Sequence, residues 1–227
     1  MDNKQFNQYF KRQIELWTEE TQLSLQNKHI LLVGSGGLGC SVGIALGAIG
    51  IGHIDIVDFD KVSVHNIHRQ IAFNIEDENR YKCDVLKTTI ESKSPFTCVN
   101  AYKVDFKEFE SSIKYDLIID ATDNLEIRTV INQYAKSKKT PWIYGSVEEF
   151  HGQVCFFEQS SFEAVFNISN HTPKGIAAPI VMNIASLQAN LAIRYLVNLP
   201  IKKDYLYYIF FDSDGIFQTQ KFQLPIS

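Results

Sequence analysis

No C-x-x-C pair occurs among the 4 cysteines of this chain, which stand at positions 40, 83, 98 and 155. That spacing offers neither the usual structural zinc site nor a disulfide framework, so free thiols in a reducing cytoplasm are expected. Long hydrophobic runs are missing as well. The most apolar late stretch, residues 176 to 197, is interrupted by Asn183, Gln188, Asn190 and Arg194, and reads as a long buried helix rather than a membrane span. The N-terminal MDNKQFNQYFKRQ has no apolar core of the kind a signal peptide needs. Charge of one sign is not in excess either. Against 26 acidic residues stand 22 Lys and Arg, a net charge of -4 with no basic cluster, so neither nucleic acid nor an anionic membrane is an expected partner. Repeats and low-complexity segments are absent.

What is present is enough apolar material, 45% of 227 residues, for one sizeable core, and a single domain over residues 1–227 is expected. Its centre is the stretch HILLVGSGGLGCSVGIALGAIGIGHIDIVDFD, residues 29 to 60. The apolar run from His29 to Val33 suits a buried parallel strand, and Gly34, Gly36 and Gly39 then fit the spacing G-x-G-x-x-G. Such glycines permit a tight turn, let backbone N–H groups approach a phosphate, and let the following helix pack on the strand with its positive N-terminus toward the anion. A second strand, Ile54 to Val57, ends at Asp58, where a carboxylate can accept from ribose hydroxyls. Glycine turns also serve packing alone, but strand, helix and acidic strand end occur here in the order a nucleotide site requires. The fingerprint does not separate ATP from NAD.

The remaining chain completes a doubly wound α/β reading. Residues 1–27 form a helical arm with Phe6, Phe10, Ile14, Trp17 and Leu23 as its apolar anchors. A helix over 81–93, a strand over 97–104, a strand over 115–119, a helix over 124–137 and a strand over 141–145 follow. Strands over 151–158, 207–212 and 217–224 come after them, the last two hairpinned through Asp214-Gly215. This makes the N-terminal half parallel and the C-terminal half antiparallel. The stretch 159–175, with Pro173 and Gly175 and no period, reads as a surface or crossover loop.

Several polar residues fall at strand ends, where doubly wound sheets bind ligands. The loop DFDKVSVHNIHRQ carries Asp60, His65, Asn66, His68 and Arg69, and the three-residue interval places Asn66 and Arg69 on one face of a helical turn. His65 and His68 have metal-ligand spacing but no third ligand nearby. Lys82 opens a helix against the dipole preference, which suits a phosphate contact, though a solvated lysine fits the pattern too. Asp123, with Glu126, matches a capping pattern and equally a carboxylate holding Mg²⁺ against a triphosphate. Arg12 is a solvated helix arginine or an arm reaching a phosphate.

Five separated pieces, YFKRQI, GSGGLGC, DFDKVSVHNIHRQ, Lys82 and DATDN, together resemble the adenylating enzymes of the MoeB and ThiF kind, bacterial relatives of the ubiquitin-activating enzymes, over about residues 9 to 220. The resemblance implies ATP and Mg²⁺ as cofactors and a small ubiquitin-like sulfur-carrier protein as partner, similar to those of molybdopterin or thiamine synthesis. Its C-terminal glycine carboxylate would be adenylated with release of pyrophosphate. By motif position, Gly36 and Gly37 would lie against the phosphates beside Gly34 and Gly39, and Asp58 would hold the ribose. Asn66, Arg69 and Lys82 would grip the phosphates and Asp123 would bind Mg²⁺, with Asp60, His65, His68 and Asn124 completing the ATP site. Arg12 would reach the triphosphate from the neighbouring subunit of a homodimer. Relatives with structural zinc carry two C-x-x-C pairs that this chain lacks, so no zinc is expected. Where the ThiF type has a cysteine before its last helix, this chain has His171, so a MoeB-type reaction that stops at the adenylate is the expectation. An NAD-dependent oxidoreductase explains only Gly34 to Asp58, and a carrier-binding module without turnover would have no use for the whole phosphate-gripping set.

Overall fold

Apolar runs too short to be helices alternate with helical periods from residue 29 onward, and in the computed structural model, which describes residues 3–166 and 175–226, they form one sheet with helices on both faces. Three short helices, α1 (Asn3–Tyr9), α2 (Lys11–Ile14) and α3 (Glu19–Ser24), lead into β1 (His29–Val33), α4 (Gly37–Ile49) and β2 (His53–Val57). Next come α5 (Lys82–Lys93), β3 (Cys98–Tyr102), β4 (Leu117–Asp120), α6 (Leu125–Lys138) and β5 (Trp142–Glu148). The chain continues through β6 (His151–Phe157), α7 (Phe162–Val165), α8 (Ala178–Leu196), β7 (Tyr205–Phe211) and β8 (Phe217–Gln223).

The 8 strands lie in the order β3-β2-β1-β4-β5-β6-β7-β8. The pairs from β3 to β5 are parallel, and those from β5 to β8 antiparallel. Register brings Val33 beside Val57 and Asp120, so β1, β2 and β4 end together and the loops that leave them start from one line. Between β1 and β4 the winding reverses, which is where an open α/β sheet leaves a crevice.

Alternate residues of the central strands are buried on opposite faces, which is why these strands read as continuous apolar runs. Ile30 and Leu32 join a core with Leu46, Leu86, Ile90 and Ile184, from α4, α5 and α8. Leu31 and Val33 join a second core with Ile131, Trp142, Phe157 and Phe162. In α8 the buried positions Ile180, Val181, Ile184, Ala185, Gln188, Ala189 and Ala192 recur at helical spacing, and its polar interruptions fall elsewhere except for Gln188. Among the described residues no helix is long and apolar enough to cross a membrane.

Sequence-based expectations and structure differ at a few places. Leu23 is exposed, and the buried residues of that arm segment are Gln22 and Leu25. The side chain of Gln22 donates to the Ile49 carbonyl (2.8 Å) and accepts from Trp17 Nε1 (3.1 Å), so a polar residue closes the end of α4 where an apolar anchor was expected. β5 runs on to Glu148 because it pairs with β6 along its whole length. The described part of 159–175 is not simply surface: Ser160 and Ser161 are buried, α7 inserts a fully buried Phe162, and the Asp204 carboxylate accepts from the backbone N–H groups of Glu158, Gln159 and Ser160. His171 lies outside the described residues.

Candidate functional site

The site grows from the end of β1. Gly34 has φ +94°, a conformation that favours glycine, and a Cβ there would stand 2.7 Å from the Ala121 carbonyl oxygen. A Cβ at Gly39 would run into the Gly34 carbonyl oxygen, so only glycine lets α4 start this close to the strand. Gly36 is the residue before α4 and offers no side-chain cap. The first N–H groups of α4 therefore face the crevice without a side-chain partner, at the positive end of the helix.

Two loops converge on this turn. After β2, Asp58 Oδ2 accepts from Ser35 N (2.6 Å) and Ser35 Oγ (2.7 Å), while its Oδ1 accepts from the Asp60 backbone N–H (2.7 Å). Lys82, 6% exposed, donates from Nζ to Asp60 Oδ2 at 2.8 Å, and its backbone N–H donates to the Asp60 carbonyl. This pairing answers how a lysine comes to open α5 against the dipole. Further along the same loop, Arg69 reaches back to Asn66 Oδ1 (3.1 Å) and donates to His68 Nε2 (3.0 Å), and a Cβ on Gly37 would lie 3.3 Å from the Arg69 carbonyl. The three-residue spacing of Asn66 and Arg69 thus becomes a contact. His65 Nδ1 is bonded to Ser63 Oγ (2.8 Å), and since a guanidinium only donates, His68 Nε2 is occupied as an acceptor.

The second loop, 120 to 124, follows β4. The capping alternative for Asp123 falls to its neighbour: Asn124 Oδ1 accepts from Glu126 N (2.8 Å) and Ile127 N (3.3 Å), which commits the oxygen of that proposed ATP contact to the helix. Asp123 is exposed, and it follows Thr122, whose backbone nitrogen would lie 3.3 Å from a Cβ at Gly34. Among the described residues no group of three His, Cys, Asp or Glu side chains is placed to hold a metal. A lone open carboxylate does suit Mg²⁺, which keeps waters and binds through one or two carboxylates together with substrate phosphates.

Sequence reasoning named no role for Ser35, Gln70, Asp120, Thr122, Arg128 or Gln188. Gln70 is 4% exposed, lies with its amide nitrogen 3.6 Å from where a Gly36 Cβ would be, and keeps a buried Oε1 without a hydrogen-bond partner. Asp120 and Arg128 form a buried ion pair (Nε to Oδ2, 3.0 Å). Burial raises the Asp120 carboxyl above its ordinary range, opposed by Arg128 and by two donors from Thr122. The available signal was a carboxylate closing an apolar strand and an arginine two turns later. Only the fold says that they meet.

Two thiols border the site. Cys40 donates to the Ser35 carbonyl (3.3 Å) and is pushed up to about 12 by burial. Cys83 donates to the Asp58 carbonyl (3.2 Å) and is pushed up to about 11 by burial and then by Asp58, so adjacency to Lys82 does not activate it. Cys155 is buried and raised in the same direction. Cys98 is exposed at the start of β3.

Arg12 is nowhere near this cluster. Phe10 packs on Gly50 at the far end of α4, and Tyr9 donates to the Lys93 carbonyl at the far end of α5 (2.7 Å). The 13 residues of α4 separate that end from the glycine turn by about 18 Å at the usual helical rise. Arg12, with 90% of its side chain exposed, is paired to Glu15 at 2.8 Å. Two concave regions of the surface also lie away from the turn. One of about 490 Å³ is bordered by Phe6, His53, Phe96 and Cys98, the other of about 550 Å³ by Phe150, His151, Tyr208 and Phe210. The chemistry-bearing side chains converge at the turn and in neither cavity.

A sheet whose N-terminal half is parallel, with a glycine turn at its switch point, defines a Rossmann-like protein. The chain belongs to the ThiF family, whose pattern matches residues 10–225. It is 32% identical over 190 residues to the adenylyltransferase and sulfurtransferase MOCS3 of Dictyostelium discoideum, covering 78% of this chain and 45% of that protein. With the molybdopterin-synthase adenylyltransferase of Haemophilus influenzae it shares 31% identity over 195 residues, 81% of this chain and 79% of that one. Of the Thermus thermophilus sulfur carrier protein adenylyltransferase, 34% identical over 142 residues, the match covers 52%, so the chain spans about half the length of this relative and of MOCS3. The crystal structure of E. coli MccB with ATP superposes with a TM-score of 0.81 at 20% identity, over 91% of this chain and 66% of that one, a likeness of fold.

Proposed function

We propose that this chain uses ATP to adenylate the C-terminal glycine carboxylate of a small ubiquitin-like sulfur-carrier protein in molybdopterin or thiamine synthesis, releasing pyrophosphate. One observation carries the reading: the N-terminus of α4 is uncapped, Arg69 lies against Gly37 there, and the segments after β2 and β4 that carry Lys82 and Asp123 start from the same line of strand ends. The names of the H. influenzae and T. thermophilus relatives, and the ATP in the MccB neighbour, support it. A C-terminal carboxylate, ordinarily with a pKa of about 3.5, is already an anionic nucleophile at neutral pH and needs no general base. Its oxygen forms a bond to the α-phosphorus, the bond from that phosphorus to the β-bridging oxygen breaks, and the electron pair leaves with pyrophosphate. The α4 N-terminus and Arg69 stabilise the charge that builds on the leaving group. Lys82 joins them by giving up Asp60, an exchange of one anion for another that leaves the buried ammonium paired throughout. Asp58 orients the ribose from the same carboxylate that steadies Ser35. Asp123 would hold Mg²⁺ together with the phosphates, and the ion would supply further neutralisation of the triphosphate.

The test is ATP–pyrophosphate exchange with the organism's own ubiquitin-like carriers added one at a time. One carrier should stimulate exchange and thereby name the pathway. A thermal shift with NAD and none with ATP and Mg²⁺ would replace this reading with an oxidoreductase.

A further inference from the structure

The loop that carries Asp123 is held from both sides by one buried guanidinium. Arg128, 3% exposed and in the second turn of α6, donates from Nε to Asp120 Oδ2 (3.0 Å) and from Nη2 to the carbonyls of Thr122 (2.7 Å) and Gly145 (3.0 Å). Its flat face lies over the Tyr144 ring at 4.9 Å. The other Asp120 oxygen, Oδ1, accepts from Thr122 N (2.9 Å) and Thr122 Oγ1 (2.7 Å), and the Asp120 carbonyl accepts from Gln188 Nε2 (2.7 Å). Gly145 is pressed so closely on Gln188 that a Cβ would stand 2.5 Å from its amide. Both peptide groups of Thr122 are therefore fastened, and the second is the one that leads into Asp123. A buried ion pair is a poor way to gain stability, because its attraction does little more than offset the loss of hydration. What this pair accomplishes is geometric: it ties the end of β4, the loop after it, α6 and β5 to one another directly beneath Gly34.

We propose that Arg128 is a positioning residue that acts through the Thr122 carbonyl to aim the Asp123 carboxylate at the cation of bound ATP, with Asp120 as its fixed counter-charge. This rests on the adenylation reading above and adds to it the device that sets metal affinity. Lysine in place of Arg128 keeps the charge and loses the fork, since a single ammonium cannot hold the Asp120 carboxylate and two carbonyls in that planar arrangement.

The experiment is calorimetric titration of ATP into the full chain at stepped Mg²⁺ concentrations, without carrier, for the wild type, Arg128→Lys and Asp123→Asn, together with AMP titration in EDTA. In Arg128→Lys the Mg²⁺ concentration that gives half of the gain in ATP affinity should rise about tenfold, the usual cost of losing an outer-shell partner, with AMP affinity unchanged. Asp123→Asn should shift it at least as far. A merely structural role would lower the melting temperature and leave the Mg²⁺ dependence at the wild-type value, and that result overturns the proposal. If Arg128→Lys does not fold, Thr122→Val, which removes one bond to Asp120 at constant shape, decides on the same readout: a smaller shift in the same direction supports the proposal and none overturns it. A wild type whose ATP affinity ignores Mg²⁺ refutes the adenylation reading itself, and the proposal with it.

Discussion

Asp123 and Asn124 are neighbours in sequence with opposite expected consequences. Asn124 satisfies two of the free N–H groups at the start of α6, and replacing it with alanine should cost about 1 kcal/mol of stability. Asp123 is exposed and not the cap, so Asp123→Ala should leave thermal stability near the wild-type value while adenylate formation is lost. Measuring melting temperature and pyrophosphate exchange on both variants separates the two roles; an active, thermally weakened Asp123→Ala would remove the metal assignment. Neither residue was legible alone. The motif contains three oxygen-bearing side chains in a row, Thr122, Asp123 and Asn124, and which of them turns back to the helix depends on backbone angles that the surrounding contacts impose.

At the scale of elements, the thiols report how α4, α5 and β6 are sealed. Cys40, Cys83 and Cys155 are buried with raised pKa values, whereas Cys98 is exposed at the start of β3. Alkylation of the native protein at pH 8.5, followed by mass spectrometry, should modify Cys98 and spare the other three until the chain unfolds; prompt labelling of Cys40 would mean that the glycine turn opens readily. The linkage has a definite sign. These thiols ionise near 9 in the unfolded chain and, for Cys83 and Cys40, only at about 11 and about 12 in the fold, so the neutral thiols favour the folded state equally at any pH below 9. Stability should fall as pH rises from 9 through 12, because there the unfolded chain gains by losing protons that the fold retains. The extent of β5 was set by its partner β6, a pairing that a strand's own residues do not announce.

At the scale of the whole molecule, the arm and the site occupy opposite ends of the sheet. The role that the family resemblance implies for Arg12, reaching a triphosphate in a neighbouring subunit, would therefore require a second copy to bring its arm across. Mixing Arg12→Ala with Asp123→Ala protein, each inactive alone, should restore part of the exchange activity through hybrid dimers that contain one intact site. If subunit exchange is verified and the mixture stays inactive, Arg12 does not act in trans.

The sequence by itself determined the sheet, its two halves and the glycine turn. Buried parallel strands need unbroken apolar runs, and a turn like Gly34 to Gly39 needs glycine at set intervals, so both constraints are written locally in residue type and spacing. Only the tertiary structure decided that Lys82 rests on Asp60, that Arg128 binds Asp120 beneath the turn, that Gln22 rather than Leu23 closes the arm, and that Arg12 lies a helix length from the glycine turn. Each of these is a pairing between residues whose own neighbours in the chain allow several partners. The choice among partners depends on burial and on which polar groups are left to satisfy, and those quantities exist only once the layers have packed.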